Sequence, residues 1–347
     1  MAIGVAILGA GLFGKDQYLP AVKANSNYTL KAVYSRSQQS ATKFGEEASV
    51  DVYYNSPETP DKSLSKLLER SDIAAVIIAL PITAQPDIIR AAWKAGKHVL
   101  SEKPVAKDST VAKQLITDYE PYKAKGLIWG VAENFRFLDP ITYGTEQLKR
   151  LGGKVTGFHV SIHDMIKDGN PYYATEWRKN PDHQGGFILD GGVHFVAGLR
   201  EFLSALNDSI EKVVSFSAQM QPHLPPVDTV NGVCLLKSGR SGTFSLSFGI
   251  EFKSDFLIEV TSTNGSVAMG PAGVKVIERN GLDGDRKEAL KEFPSDTGVG
   301  LEIEAFGKAI VNNAPDARQS AEEALLDLVL IEKLLGTGEQ GGALLTI

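Results

Sequence analysis

The chain has 347 residues, 43% of them hydrophobic and 22% charged, with a formal net charge of −6. That is enough apolar material for two ordinary cores. No apolar run reaches the roughly 20 residues that span a bilayer. Acidic and basic residues are interspersed without a basic block, which argues against nucleic acid or an anionic membrane surface as a partner. A single cysteine excludes an internal disulfide, and Cys234, in the strand-like stretch Val230–Lys237, reads as a buried, inert thiol. The start Met1-Ala2-Ile3-Gly4-Val5 lacks the basic start and cleavage site of a signal peptide, so a cytoplasmic location is expected.

Up to residue 131 short apolar runs alternate with helical patterns. Runs at 3–8, 30–34, 73–80, 98–100 and 127–131 predict strands buried on both faces of a parallel sheet. Helices are predicted at 15–24, 38–47, 62–70, 85–95 and 109–124, with Pro86 in the first turn of the fourth and Gly96 at its C-terminal cap. This alternation implies right-handed βαβ units. Beyond 131 a helix is predicted over 140–151, with Asp139 as its N-cap. Strand patterns follow at 154–163, 211–220, 229–237, 242–250 and 256–262, interrupted by an apolar helix over 187–203. Shorter strand pieces run to about 278, the polar stretch 279–299 reads as a loop, and amphipathic helices close the chain at 301–312 and 317–336. The expected fold is therefore α/β: a Rossmann doubly wound parallel sheet over 1–131, then, over 132–347, an α+β domain with a large, mostly antiparallel open sheet.

Gly9-Ala10-Gly11-Leu12-Phe13-Gly14 matches G-x-G-x-x-G between the first strand and the first helix. The first glycine makes the tight turn, the second lets backbone approach a pyrophosphate, and the third allows close helix–strand packing. The helix start supplies donors and partial positive charge. Gly9, Gly11, Leu12, Phe13 and Gly14 are thus predicted to hold a dinucleotide. At the end of the second strand, where an NAD-preferring protein usually places a carboxylate, stand Ser35, Arg36 and Ser37. A guanidinium flanked by two hydroxyls suits a 2′-phosphate, so NADP is the expected cofactor.

Three further segments carry chemistry. Glu102-Lys103-Pro104 follows a short strand, at the carboxyl edge where open α/β sheets bind ligands. Asp190 and His194 lie four apart in Gly185-Gly186-Phe187-Ile188-Leu189-Asp190-Gly191-Gly192-Val193-His194, hence on one helix face. Ala132-Glu133-Asn134-Phe135-Arg136 follows the last strand of the first domain.

Together with the glycine loop, these segments resemble the Gfo/Idh/MocA family of nicotinamide-dependent oxidoreductases over nearly the whole chain. The resemblance implies Lys103, Asp190 and His194 as the catalytic group, and the chemistry agrees: hydride transfer to a carbonyl builds negative charge on oxygen, which Lys103 can stabilise, while His194 can exchange the proton near neutrality and Asp190 can orient the imidazole. It also implies cofactor contacts from Leu80, Pro81, Gln85, Glu102, Lys103 and Asn134. Ser35-Arg36-Ser37 and Trp177-Arg178 look most like a fungal subgroup of NADP(H) reductases within it. One departure is visible: many members carry a histidine a few residues after the proline at position 81, whereas here Ile82-Thr83-Ala84-Gln85 follows. Gln85 can hydrogen-bond near the nicotinamide but cannot carry a proton.

The expected activity is hydride transfer between NADP(H) and a carbonyl or secondary alcohol of a small polar, sugar-like compound. Rival readings are a non-catalytic NADP-sensing regulator, which need not keep Lys103, Asp190 and His194, and a lyase using the nicotinamide transiently. His163, on a strand expected to face the cleft, and Tyr173, Trp177 and Arg178 are the predicted substrate contacts; Arg178 suits a carboxylate, phosphate or polyhydroxy ligand. The spacings of His159, His163, Asp164 and His183 match no zinc motif, so no metal is expected. Phe244, Leu246, Phe248 and Ile250 alternate along one strand face, which either packs into the core or meets a second copy in a homodimer.

Overall fold

The computed structural model describes residues 2–279 and 284–347. Its first sheet is parallel and six-stranded: β1 (Ile3–Leu8), β2 (Tyr28–Tyr34), β3 (Asp51–Tyr53), β4 (Ala75–Ile78), β5 (His98–Glu102) and β6 (Trp129–Ala132), in the order β3-β2-β1-β4-β5-β6. Every residue of β1 and β4 is buried, as continuous apolar strands require when helices cover both faces. The connecting helices are α1 (Leu19–Ala24), α2 (Gln38–Ala48), α3 (Leu64–Leu68), α4 (Gln85–Lys94) and α5 (Ser109–Lys123). A π-helical turn, Gly14–Tyr18, runs directly into α1. The strand order reverses direction between β1 and β4, the switch point at whose carboxyl ends a crevice opens. β3 has no counterpart among the predicted strands. It is three residues long, starts on exposed Asp51 and lies at the sheet edge, where no apolar run is required.

The second sheet is nine-stranded among the described residues, in the order β14-β13-β12-β11-β7-β10-β9-β8-β15. Its strands are β7 (Val155–His163), β8 (Ile210–Ala218), β9 (Thr229–Leu236), β10 (Ser241–Ser247), β11 (Asp255–Ser262), β12 (Gly265–Gly270), β13 (Gly273–Arg279), β14 (Arg286–Lys291) and β15 (Leu345–Thr346). Only β7 and β10 pair in parallel; the other neighbours run antiparallel. Helices α6 (Asp139–Leu151), the short α7 (Glu176–Lys179) and α8 (Gly186–Ser204) accompany it. α8 seats on the sheet through its glycines. A Cβ built at Gly191 would come within 2.9 Å of the Phe248 ring, and one at Gly192 within 2.8 Å of Leu246. The Gly-Gly pair preceding His194 is therefore there for close helix–sheet packing.

That packing decides between the two readings of one alternation. Phe244, Leu246 and Phe248 are buried, and α8 seats on Leu246 and Phe248, so the alternation belongs to the core. The polar stretch 279–299 is not wholly a loop: β14 pairs with β13, and all six of its residues are exposed, which is why no alternation marks it. Residues 280–283 of that stretch lie outside the described residues. Asp139 is the first residue of α6, and Leu138 takes the cap position. Cys234 is fully buried, and burial pushes its thiol up to about 12.

Two closing helices follow, α9 (Val299–Asn312) and α10 (Ala321–Glu339). The chain divides into two compact units: Met1–Glu133 with Val299–Leu325, and Asn134–Gly298 with Leu326–Ile347. The second domain was expected to take everything from residue 132 onward; α9 instead joins the first unit. The reason is apolar burial, since Val299, Ile303, Phe306 and Ala309 enter the same core as Ile3, Val5, Tyr18 and Val22. Among the described residues no helix is long and apolar enough to cross a membrane.

Candidate active site

In the first unit the glycine loop leaves the buried end of β1. Gly9 has φ +127°, and a Cβ there would lie 2.1 Å from the Ala79 carbonyl oxygen, so only glycine fits between β1 and β4. Its N–H donates to the Tyr34 carbonyl at 2.8 Å, tying the turn to the end of β2. A Cβ at Gly11 would meet nothing within 4 Å, so its backbone is open to close approach. A Cβ at Gly14 would come within 2.5 Å of the Gly9 carbonyl oxygen. Leu12 is exposed and Phe13 half-buried, its ring edge-on to Tyr18 at 5.2 Å.

Beyond β2, Ser35 is half-buried and Arg36 and Ser37 are exposed. Burial raises the Tyr34 hydroxyl and the Arg36 charge lowers it, which puts the guanidinium near the strand end. The Ser37 hydroxyl accepts from the Ser40 N–H at 3.4 Å and so caps α2.

Leu80 and Pro81 follow β4, both half-buried. Gln85, first residue of α4, is 1% exposed, and neither end of its amide has a hydrogen-bond partner. A buried amide with both ends unsatisfied is costly, and its position beyond the β4 end suits a polar ligand.

Glu102 ends β5 and accepts the hydroxyl of buried Tyr18; Lys103 follows it, half-buried. Two further carboxyls act on this group electrostatically: Glu133, which the segment after β6 contains with no role assigned to it, and Glu302, which sequence reasoning passed over. Glu302 had a readable signal. It stands three residues after Val299 and four before Phe306, on the apolar stripe of α9, where an acid is out of place.

The second unit holds the remaining candidates. Asn134 donates its amide to the Thr297 carbonyl at 2.6 Å. The His194 ring stacks on Phe135, with centroids 4.6 Å apart and planes 19° from parallel. Asp190, on the same face of α8, is 5% exposed and pairs with Arg178 at 2.7 Å. Arg178 in turn lies over the Trp177 ring at 4.1 Å and donates to the Tyr172 carbonyl and the Thr175 hydroxyl. The short α7 is thereby fastened to α8 by a charge-assisted bond. Tyr173 is buried, its hydroxyl donating to the His223 carbonyl at 2.7 Å.

His163 is set apart from this group. Its neighbours Val160 and Ile162 share the face of Leu246, which α8 covers, whereas His163 contacts Ser161 and Ser245 and lies 3.4 Å from Asp255. Strand alternation thus sends it to the sheet face opposite Asp190 and His194. That removes it from the predicted substrate contacts. Burial, followed by the Lys253 charge, lowers its imidazole.

Residues 3–126 match the oxidoreductase family Gfo/Idh/MocA, NAD-binding Rossmann fold, and residues 150–268 match the C-terminal domain of the same family. The protein named "Dehydrogenase FPY6" of Fusarium mangiferae is 43% identical over 344 residues, covering 99% of this chain and 98% of that one. "D-xylose 1-dehydrogenase (NADP(+)) 2" of Haloferax volcanii is 28% identical, covering 97% and 98%. The crystal structure of an oxidoreductase from Thermotoga maritima superposes with a TM-score of 0.85 at 26% identity, covering 100% and 98%. With both domains matched and a full-length relative at this identity, the chain belongs to the Gfo/Idh/MocA family of oxidoreductases and carries its NAD(P)-binding Rossmann domain.

Proposed function

We propose that the protein is an NADP(H)-dependent oxidoreductase acting on a carbonyl or secondary alcohol of a small, polar, sugar-like compound. The observation that carries the reading is Lys103, an ammonium set directly after β5 at the carboxyl edge of a sheet whose glycine loop is open to a dinucleotide. A relative named as an NADP(+)-dependent xylose dehydrogenase supports both the cofactor and the substrate class.

The nicotinamide, when bound, supplies hydride chemistry. The protein's part is electrostatics and proton handling. Lys103 offers positive charge to the reacting oxygen, and His194 gives or takes its proton. Stacking on Phe135 restricts the His194 ring to one plane, which keeps its nitrogens aimed. Asp190, paired with Arg178 at 2.7 Å, lies on the helix face of His194 and is assigned to orient the imidazole. Tyr173, Trp177 and Arg178 are the substrate contacts, and Gln85 and Asn134 offer amides to the cofactor.

Cofactor preference rests on Arg36. The Ser37 hydroxyl accepts the Ser40 N–H and keeps its own O–H to donate, so the serines can add hydrogen bonds while the guanidinium alone brings charge to a 2′-phosphate. Arg36→Ala is expected to weaken NADPH by about 1.5–3 kcal/mol, the worth of a hydrogen bond to a charged group, and to leave NADH nearly unchanged. Fluorescence titration measures both. Equal affinity of the unmutated protein for the two cofactors would refute the assignment.

A further inference from the structure

Helices α7 and α8 are joined by Asn180-Pro181-Asp182-His183-Gln184-Gly185, a polar connection of the kind that runs over the surface with its side chains in water. His183 departs from that pattern. Its side chain is 1% exposed, and neither ring nitrogen has a hydrogen-bond partner. The exposed carboxylate of Asp182 stops 3.6 Å from Nδ1, outside hydrogen-bond reach.

The aromatic neighbour of His183 is Trp177 of α7, with ring centroids 6.1 Å apart. Arg178 lies over the same indole at 4.1 Å and pairs with Asp190, on the α8 face of His194, at 2.7 Å. That guanidinium is already engaged, since Nε donates to Asp190 and Nη1 to the Tyr172 carbonyl and the Thr175 hydroxyl. His183 brings to this group an imidazole with both nitrogens still to be paired.

A buried polar group without a partner destabilises the fold, and a phenylalanine or leucine would fill the space without that penalty. A partner that arrives as a ligand accounts for it. The ring narrows the chemistry of that ligand. A neutral imidazole presents one N–H and one lone pair, whichever tautomer it takes. A hydroxyl answers either one, because it both donates and accepts. A carbonyl answers only the N–H, and an ammonium only the lone pair.

We propose that His183 is a specificity-determining residue for the reaction proposed above: a buried imidazole, linked through Trp177 and Arg178 to Asp190, that hydrogen-bonds a substrate hydroxyl other than the reacting one. The inference rests on the sugar-like substrate class given there and narrows it to compounds with a second hydroxyl in reach of the imidazole. Half-buried Trp177 flanks the enclosed ring, so that hydroxyl reaches it by displacing the indole.

His183→Phe and His183→Leu remove both nitrogens and keep an apolar side chain of similar size. At least one of the two is expected to melt at or above the wild-type temperature, because the unpaired polar ring is gone. Against the sugar that the wild type turns over best, kcat/KM should fall about 10–100-fold, through KM more than kcat. NADPH affinity, from fluorescence titration, should not change. Singly deoxygenated analogues of that sugar locate the contact. One of them should show a similar deficit in the wild type and lose it in the variants, where its missing hydroxyl has nothing to meet. If both variants melt below wild type, the imidazole is already partnered in the free protein and the proposal is overturned. A deoxy-sugar profile that the variants leave unchanged overturns it too. A wild type that turns over no sugar or polyol fails the substrate class and this inference together, whereas sugar turnover unaltered in His183→Phe fails this inference alone.

Discussion

Replacing Lys103 or His194 by alanine is expected to leave a folded protein that binds NADPH and turns over far more slowly. In the proposed roles each acts where charge develops on the reacting oxygen, so the loss is expected to fall on kcat more than on cofactor affinity. Removing an electrostatic donor of this kind costs about 10²–10³ in rate. Removing a positioned acid–base group costs about 10²–10⁴. If the two serve one oxygen, as proposed, the double variant should fall well short of the product of the single effects. NADPH fluorescence and circular dichroism, measured beside turnover on a panel of sugars and polyols, separate this from loss of fold. Folded variants with wild-type turnover would sink the site, and a wild type that binds NADPH yet turns over nothing would favour a nucleotide-sensing regulator.

The largest expected effect on stability comes from Asp327→Ala. The Asp327 carboxylate is 3% exposed and takes Arg136 at 2.6 Å on one oxygen and Arg200 at 2.6 Å on the other; the Arg136 side chain, 1% exposed, also reaches Glu201 at 3.3 Å. Deleting the shared anion takes a carboxylate from two guanidiniums, of which the deeply buried Arg136 keeps Glu201. Breaking a buried pair from one side costs about 3–5 kcal/mol, chiefly the penalty of the charge left behind. Arg136 belongs to the same short turn as Phe135, on which His194 stacks, so loosening it should also lower turnover. Trp177 is the tryptophan of the second unit, Trp93 and Trp129 lying in the first, and its emission during urea unfolding reports the unit affected. An unchanged midpoint in Asp327→Ala would mean that the cluster contributes nothing net. Asp327→Asn, which keeps hydrogen bonding without the charge, should fall between.

Much of this protein was determined by sequence alone, wherever a local pattern carries the physics. The glycine loop is legible because β1 is apolar throughout and Gly9 must take a positive φ against β4. Lys103 is placed by the short strand before it, and Asp190 and His194 by helical spacing. The dominant parallel and antiparallel sheets are legible for the same reason, since continuous runs and alternation mark the burial of two faces or one. What escaped depends on partners distant in the chain. Arg136 and Asp327 are 191 residues apart, and nothing local in either segment announces their pairing. α9 reads as an amphipathic helix, but only the packing decides that its apolar stripe completes the first unit's core. His163 reads as a cleft residue until pairing with β10 and β11 fixes the register that turns it to the other face, because in a strand one residue of offset exchanges the two faces. The helix and strand patterns are short-range and survive in the sequence; which buried acid, base or cation meets which is set by long-range packing and exists only in the folded chain.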